Sequence, residues 1–251
     1  MDADALRRAS EAAKLPHPIG YIPVTASTND DLRALARAGA PSGTALVAGA
    51  QTAGRGRLGR RWEMADAGAL ALSVLVRPHT LTPQQLPLLA LAAAVAVVEV
   101  AGPDFGIKWP NDVLDGQGRK VAGVLCELEQ AYPPVAVIGI GLNVGAAPDL
   151  PGVGWLDADG GQRDRATVAA ALTAAVLETV RQLCRNPDAV LDRWRSRSHT
   201  LGRQVSVGAV SGEAVALDPD GALVVRQADG ARVRVLAGDV RMVEGAEYSP
   251  R

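Results

Sequence analysis

The stretch AGRGRLGRRW, Ala53 to Trp62, sets three glycines and four arginines in ten residues. Gly54, Gly56 and Gly59 spell G-x-G-x-x-G, the spacing of a dinucleotide-binding turn. Such a turn needs bare backbone against a pyrophosphate, a helix directly after the glycines, and an acid ~20 residues on to hold a ribose. None of the three is present. Arginines crowd the glycines, Arg60-Arg61-Trp62-Glu63 leads to another glycine and a strand-like run, and VLVRPHT (74–80) offers no acid. A different logic fits. Glycines let the backbone bend and expose its N–H groups, while guanidinium forks take carboxylate or phosphate oxygens bidentately. Clustered guanidiniums repel one another, so the loop is expected to be mobile when empty and to close over an anion. Taken alone, an Arg/Gly run also reads as a solvated basic loop.

The rest of the composition makes that charge local. The chain has 251 residues, net charge −1 and 48% hydrophobic residues. A large domain, or a large plus a small one, with a core of Ala, Val and Leu is implied. A net charge this small gives no bulk field for nucleic acid or anionic membrane. Cys126 and Cys184 form no C-x-x-C, so neither a metal site nor a disulfide framework is expected. MDADALRRASEAAK lacks the apolar run of a signal peptide, and Leu86–Val98 is too short to span a bilayer. A cytoplasmic protein with no membrane partner is expected.

Outward from the loop, TALVAGA (44–50) reads as a strand entering it and ALALSVLVR (69–77) as a buried strand leaving it. Residues 2–14 and the segment after Thr28, stopped by Gly39, carry helical spacing. Pro83–Ala101 reads as a core helix. KVAGVLCELE and VAVIGIGLNV, separated by Tyr132-Pro133-Pro134, form a hairpin or meander. Helices follow at 165–185 and 187–198, the second with Pro187 in its first turn. After Leu201 the pattern alternates, with turns at Asp218-Pro219-Asp220-Gly221 and Asp229-Gly230, which predicts a small β-barrel. The mixed order excludes a steadily alternating doubly wound sheet.

Two constellations join the arginine loop. In KWPND (108–112), Pro110 stiffens a turn, Trp109 offers an apolar plate, and Lys108, Asn111 and Asp112 bring together a cation, an amide and a carboxylate. The amide suits a nucleobase or ribose, and the carboxylate suits Mg²⁺. An ordinary Asn-Asp turn has the same letters. Lys120 then opens a strand and can point from its edge into a cleft. Ser27-Thr28-Asn29 can bind a polar ring, although Thr28-x-x-Asp31 also fits a capping box. In Gly139-Ile140-Gly141-Leu142-Asn143 two glycines would let a flat ligand approach, or would mark a bulge.

Taken together, S-T-N at 27–29, Q-T-A-G-R-G-R-L-G-R-R-W from Gln51, K-W-P-N-D at 108, R-K-V-A-G at 119 and G-x-G-x-N at 139 resemble, in order, the motif set of biotin protein ligases. The resemblance runs from about Thr25 into the C-terminal segment. It implies an α+β fold: a mixed-sheet catalytic domain of the biotin/lipoate-ligase kind over 1–200, then a small SH3-like β-barrel over 201–251. It implies an ATP- and Mg²⁺-dependent enzyme that makes biotinyl-5′-AMP and transfers biotin to a lysine of a biotin carboxyl carrier domain, as a monomer or homodimer without a nucleic-acid partner. Ser27, Thr28, Asn29 and Gln51 would meet the biotin ureido ring, and Gly123 would admit that ring closely. Arg55, Gly56 and Arg57 would hold carboxylate and phosphate. Lys120 would bridge the reacting carboxylate and α-phosphate, with Lys120 and Arg57 the catalytic pair. Arg57, Arg60, Trp62, Lys108, Asn111, Asp112 and Asn143 would serve ATP, with Asp112 on Mg²⁺ directly or through water.

Some relatives carry an N-terminal helix-turn-helix domain and repress transcription. The 24 residues before Thr25 are too few for one, so that role is not expected here. Two rival readings remain. A lipoate ligase or octanoyltransferase would share the catalytic fold, but the arginine loop and the C-terminal strands argue against it. A non-catalytic nucleic-acid module would need a basic stripe interleaved with aromatics, which the chain lacks.

Overall fold

A computed structural model describes residues 1–65, 68–129 and 133–242. The first sheet has seven strands: β1 (Gly20–Thr25), β2 (Ala45–Gln51), β3 (Ala69–Val76), β4 (Gly106–Lys108), β5 (Asp112–Leu114), β6 (Lys120–Glu129) and β7 (Val135–Asn143). Their spatial order is β1-β2-β3-β7-β6-β5-β4. β1 and β2 run parallel and the other pairs antiparallel, so the sheet is mixed. β1 and the short hairpin β4–β5 had no clear sequence signal. The expected hairpin of the two apolar runs is β6–β7, and its tip at 130–132, with Tyr132, lies outside the described residues.

Strand alternation assigns the faces. Leu70, Leu72 and Val74 of β3 and Ile138, Ile140 and Leu142 of β7 belong to the large core under the helices. That layer contains α1 (Ala3–Ala12), α3 (Leu88–Ala101), α4 (Arg165–Arg185) and α5 (Pro187–Ser196). α3 is almost entirely buried, as its uninterrupted apolar run requires. It starts later than the expected Pro83 because Thr82–Pro87 forms turns first. By length and composition α4 could cross a membrane, but half of its apolar window is buried and it packs against α3, α1 and α5. Capping fixes the helix starts: Asp2, Asp164 and Asn186 each accept a first-turn N–H.

The opposite face of the sheet carries α2 (Thr28–Arg37), which seals a smaller core of Leu32, Ala36, Leu46, Leu75, Val135 and Val137. α2 covers only one end of that face. The uncovered part holds the cavity described below.

β8 (Gln204–Val207), β9 (Val210–Leu217), β10 (Leu223–Arg226), β11 (Arg232–Val235) and β12 (Arg241–Met242) form the second sheet, ordered β11-β10-β9-β8-β12. The expected barrel is therefore corrected: among the described residues this sheet is open, with β11 and β12 at its two edges. Its apolar face shares the large core, and Trp109 locks the two parts together. The Trp109 indole N–H donates to Gly221 O at 3.0 Å, and its backbone N–H donates to Thr200 Oγ1 at 2.8 Å.

Candidate active site

The central strands β3, β7 and β6 pair in a register that clears a floor. Ala71 lies opposite Gly141, which lies opposite Gly123. In the next row Ser73 lies opposite Gly139, which lies opposite Leu125. Each row carries little side chain where it crosses β7, so other groups can lie flat on the sheet. A Cβ on Gly141 would stand 2.1 Å from the Trp62 ring, and one on Gly139 would stand 2.4 Å from Asn29 Oδ1. The close approach foreseen for a flat ligand is thus made by two side chains of the chain itself. This corrects the expected role of G-x-G.

One cavity opens above this floor. Ser27, Thr28, Asn29, Gln51, Arg55, Gly56, Arg57, Arg60, Trp62, Asn111, Asp112, Lys120 and Gly123 all line it. Of the expected site residues, only Lys108 and Asn143 are outside the lining. Both are buried beside it, Lys108 within the electrostatic reach of Asp112 and Lys120.

At one end the groups are neutral and polar. Ser27 occupies the N-cap of α2 yet makes no side-chain cap bond, and Asp31 instead accepts from Thr25 Oγ1 at 2.6 Å. The capping box is therefore not formed, and the Ser27 and Thr28 hydroxyls border the cavity instead. Gln51 Oε1 accepts from the Thr28 backbone N–H at 2.8 Å. Asn29 is committed to the wall: it donates from Nδ2 to Glu127 Oε2 at 2.7 Å and accepts at Oδ1 from Ser73.

At the other end the groups are charged. The turn between β4 and β5 places Asp112 at the cavity, where its Oδ1 meets Lys120 Nζ at 2.7 Å. The register aligns Asp112 with Gly123. A Cβ on Gly123 would lie 3.2 Å from both Cε and Nζ of Lys120, so in this structure the glycine makes room for the lysine rather than for a ring. Lys120 Nζ also stands 5.9 Å from the centroid of the Trp62 ring. Asn111 Nδ2 donates to Val124 O at 2.6 Å, while its Oδ1 accepts from Arg57 Nη1 at 3.1 Å.

The arginine loop is built into this end. It leaves β2, closes on itself through Gly56 N–H to Arg60 O at 2.7 Å, and contains a short 3-10 turn, Arg57–Gly59. Arg55 forks onto Asp30 and reaches Glu127 at 3.2 Å. Arg60 pairs with Asp239, and Arg57 also reaches Gly238 O at 3.5 Å, both in the connection between β11 and β12 beside the second sheet. The expectation of unbalanced guanidiniums is therefore corrected, because carboxylates of the chain already answer two of them. Asp30, Glu127 and Asp239 were missed because they are remote in sequence and carry no motif. Strand alternation from Gly123 to Leu125 and Glu127 was the one available signal.

Burial works against the cations that remain. It holds the Arg57 guanidinium and the Lys108 ammonium below their ordinary values, with nearby Asp239 and Asp112 opposing. An anionic ligand would relieve both. Trp62 Nε1 and Asn143 Oδ1 are buried with no hydrogen-bond partner among the described residues, although Asn143 Nδ2 donates to Gly154 O at 2.9 Å. Such atoms are costly unless a ligand completes them. Cys126, pushed up to about 12 by burial, is not a nucleophile.

Residues 21–143 match the model of the biotin/lipoate A/B protein ligase family, and residues 200–243 match that of the biotin protein ligase C-terminal domain. A biotin–[acetyl-CoA-carboxylase] ligase of Mycobacterium tuberculosis is 39% identical over 86% of this chain and 85% of its own length. The chain belongs to the biotin protein ligase family. A bifunctional ligase/repressor of Bacillus subtilis is 33% identical over 88% of this chain and 73% of its own length. Among solved structures, a biotin protein ligase from Aquifex aeolicus in complex with biotin and ATP has a TM-score of 0.74 at 30% identity, covering 89% of this chain and 97% of that one.

Proposed function

We propose that the chain is a biotin–[acetyl-CoA-carboxylase] ligase. It makes biotinyl-5′-AMP from biotin and ATP, then transfers the biotinyl group to a lysine of the carboxylase's biotin carrier domain. One observation carries the reading: a single cavity places neutral hydroxyl and amide groups at one end and the Lys120–Asp112 pair with Arg57 at the other. The relatives named above support the same assignment, and the match to a biotin protein ligase C-terminal domain favours biotin over lipoate.

In the first step a biotin carboxylate oxygen attacks the α-phosphorus of ATP, the bond to the β-phosphate bridging oxygen breaks, and pyrophosphate leaves. Two anions must meet, so the site has to supply positive charge in place before the reaction. Lys120 bridges carboxylate and α-phosphate, and Arg57 adds a second cation. Ser27, Thr28 and Gln51 hold the ureido ring, with Asn29 fixing the wall behind them. Arg55 contributes its backbone N–H beside the acyl phosphate, and Gly56, whose own N–H is held by Arg60 O, closes the turn there. Lys108, Asn111, Arg60, Trp62 and Asn143 surround the nucleotide. In the second step the carrier's lysine nitrogen attacks the acyl carbonyl, loses a proton as the amide forms, and displaces AMP.

ATP in this family is used with Mg²⁺, and the donor chemistry fits. Mg²⁺ takes one or two carboxylates and completes its shell from phosphates and water. Asp112 is a carboxylate in the cavity beside Lys120, and no cluster of three ligating side chains exists among the described residues. Asp112 would hold the ion, which would neutralise phosphate charge. We further read the chain as two units, 1–200 and 201–251, acting in the cytoplasm as a monomer or homodimer.

The test is incorporation of labelled biotin into a purified carrier domain, with ATP, Mg²⁺ and chain each omitted in turn. Label is expected only when all are present, and lipoate should not compete. Incorporation of lipoate but not biotin, or no biotin-dependent exchange of pyrophosphate into ATP, would overturn the reading.

A further inference from the structure

Behind Thr28 runs a hydrogen-bond chain whose direction is fixed at one end. Glu127 is an ion-paired carboxylate and can only accept, and it takes Asn29 Nδ2 at 2.7 Å. Leu125 O, also only an acceptor, faces the same nitrogen at 3.4 Å. Between them they orient the amide. Asn29 therefore turns its oxygen to Ser73 Oγ, 2.6 Å away, and the single Ser73 proton must go there. Ser73 Oγ also lies 2.7 Å from Thr28 Oγ1, a separation that requires one of the two to donate. With the Ser73 proton already used, Thr28 donates.

The relay from Thr28 through Ser73 and Asn29 to Glu127 therefore consumes the only proton on the Thr28 hydroxyl. Gln51 Oε1, which accepts from the Thr28 backbone N–H at 2.8 Å, also lies 3.1 Å from Thr28 Oγ1; that contact is longer than the 2.7 Å one to Ser73, and any share of the proton it takes is likewise kept from the cavity. Ser73 is 0% exposed, Thr28 3% and Asn29 4%, which keeps water from reversing the chain. What Thr28 offers the cavity is lone pairs alone.

We propose that Ser73, Asn29 and Glu127 are positioning residues that make Thr28 an obligate hydrogen-bond acceptor, so that the site selects a ligand ring carrying N–H over one carrying oxygen. This rests on the biotin reading, since a ureido ring presents N–H groups and a carbonyl. An ether-type oxygen facing Thr28 would set lone pair against lone pair, which a hydrogen-bonding site rejects far more strongly than an apolar one.

The experiment measures binding of biotin and of two cyclic carbamates, each with one ring N–H replaced by oxygen, by calorimetry on the full chain. The wild type should reject one carbamate by at least about a hundredfold relative to biotin. In Ser73→Ala only the longer contact to Gln51 Oε1 still holds the Thr28 proton, so Thr28 can turn and donate, and rejection of that carbamate should fall below about tenfold while the other carbamate keeps its ratio to biotin. Should the alanine variant not fold, Ser73→Cys keeps a side chain there that accepts from Thr28 and donates to Asn29 more weakly, and should give an intermediate ratio. If the serine variants weaken all three ligands in equal proportion, Ser73 is merely structural and the proposal fails. It fails too if the wild type does not discriminate between the carbamates and biotin. If the wild type binds no biotin at all, the functional reading itself fails.

Discussion

Lys120→Ala removes the group on which the first chemical step leans most. The ammonium sits 2.7 Å from Asp112 Oδ1, with both side chains only 15% exposed, so solvent screens little of its charge. At ~4 Å and an effective dielectric of ~20, an ammonium attracts a single negative charge by about 4 kcal/mol. Only the part gained between the separated anions and the pentavalent phosphorus counts towards rate. Removing one such preorganised group costs about 3–4 kcal/mol, or roughly two to three decades in rate. The variant also leaves the Asp112 carboxylate where two further anions must meet, which places the loss at the upper end of that range.

Gly123→Ala perturbs the same atom gently. Its methyl would lie 3.2 Å from Cε and Nζ of Lys120, so the ammonium must yield by a few tenths of an ångström. Since ~1 Å of misplacement costs ~100-fold, the loss should stay under about tenfold. The strand backbone is extended there, so alanine should also add roughly 0.5–1 kcal/mol of stability. The assay is biotin-dependent exchange of labelled pyrophosphate into ATP, with thermal melts of both variants. The reasoning is refuted if Lys120→Ala melts like wild type and exchanges within about threefold of it. It is refuted equally if Gly123→Ala loses as much as Lys120→Ala, since the glycine would then be admitting ligand rather than placing the lysine.

Three further outcomes follow from the geometry. Arg57→Gly removes the guanidinium that spans Asn111 and Gly238, so biotinyl-5′-AMP should escape about 10–100-fold faster and label bystander serum albumin; unlabelled albumin with wild-type adenylate retention would rule out a clamp. Gly141→Ala would drive a methyl into the Trp62 ring, so nucleotide binding should weaken by about a hundredfold with the fold intact and Trp62 fluorescence shifted to the red; unchanged binding would show that the ring's seat is immaterial. His199 packs its ring on Gly106, and burial, seconded by Arg203, holds its imidazole below the usual value. The neutral form is the one that folds, so its contribution is complete above about pH 6.5 and is lost as pH falls through the depressed folded value; His199→Gln should flatten the melting temperature between about pH 7 and 5, and an unchanged slope would exclude it.

Much of this site was legible in the sequence because its motifs are local. KWPND is one turn, the arginine loop is one excursion between β2 and β3, and S-T-N is one helix start. Each motif shows its chemistry within a few residues and sends side chains into the cavity, with Lys108 buried just behind it. The strands that failed to announce themselves were β1, whose Pro23 and partly exposed residues blur alternation, and β4 and β5, which have only three residues apiece. The second sheet was visible as alternation and turns. Its failure to close was not, since closure depends on how its edge strands meet, and no local pattern encodes that.

What stayed hidden is the set of partners, and the arginine loop shows why. From sequence, four arginines in ten residues look like unbalanced charge awaiting a ligand. In the fold, Asp30 comes to Arg55 from α2, Glu127 comes to it from β6, and Asp239 comes to Arg60 from beside the second sheet. These carboxylates can stabilise the loop before any substrate arrives, at positions that only strand pairing and domain docking bring together. They also set a condition on the chemistry. A ligand anion that draws Arg55 or Arg60 inward must replace a partner already in place, so its gain is the difference between two ion pairs rather than the whole of one. Among the described residues Arg57 has no such carboxylate in contact: its bonds go to an amide oxygen and a carbonyl, and burial already disfavours its charge. Of the loop's guanidiniums lining the cavity it therefore has the most to gain from a phosphate. That is the physical ground for assigning the adenylate to Arg57 and the loop's resting position to Arg55 and Arg60.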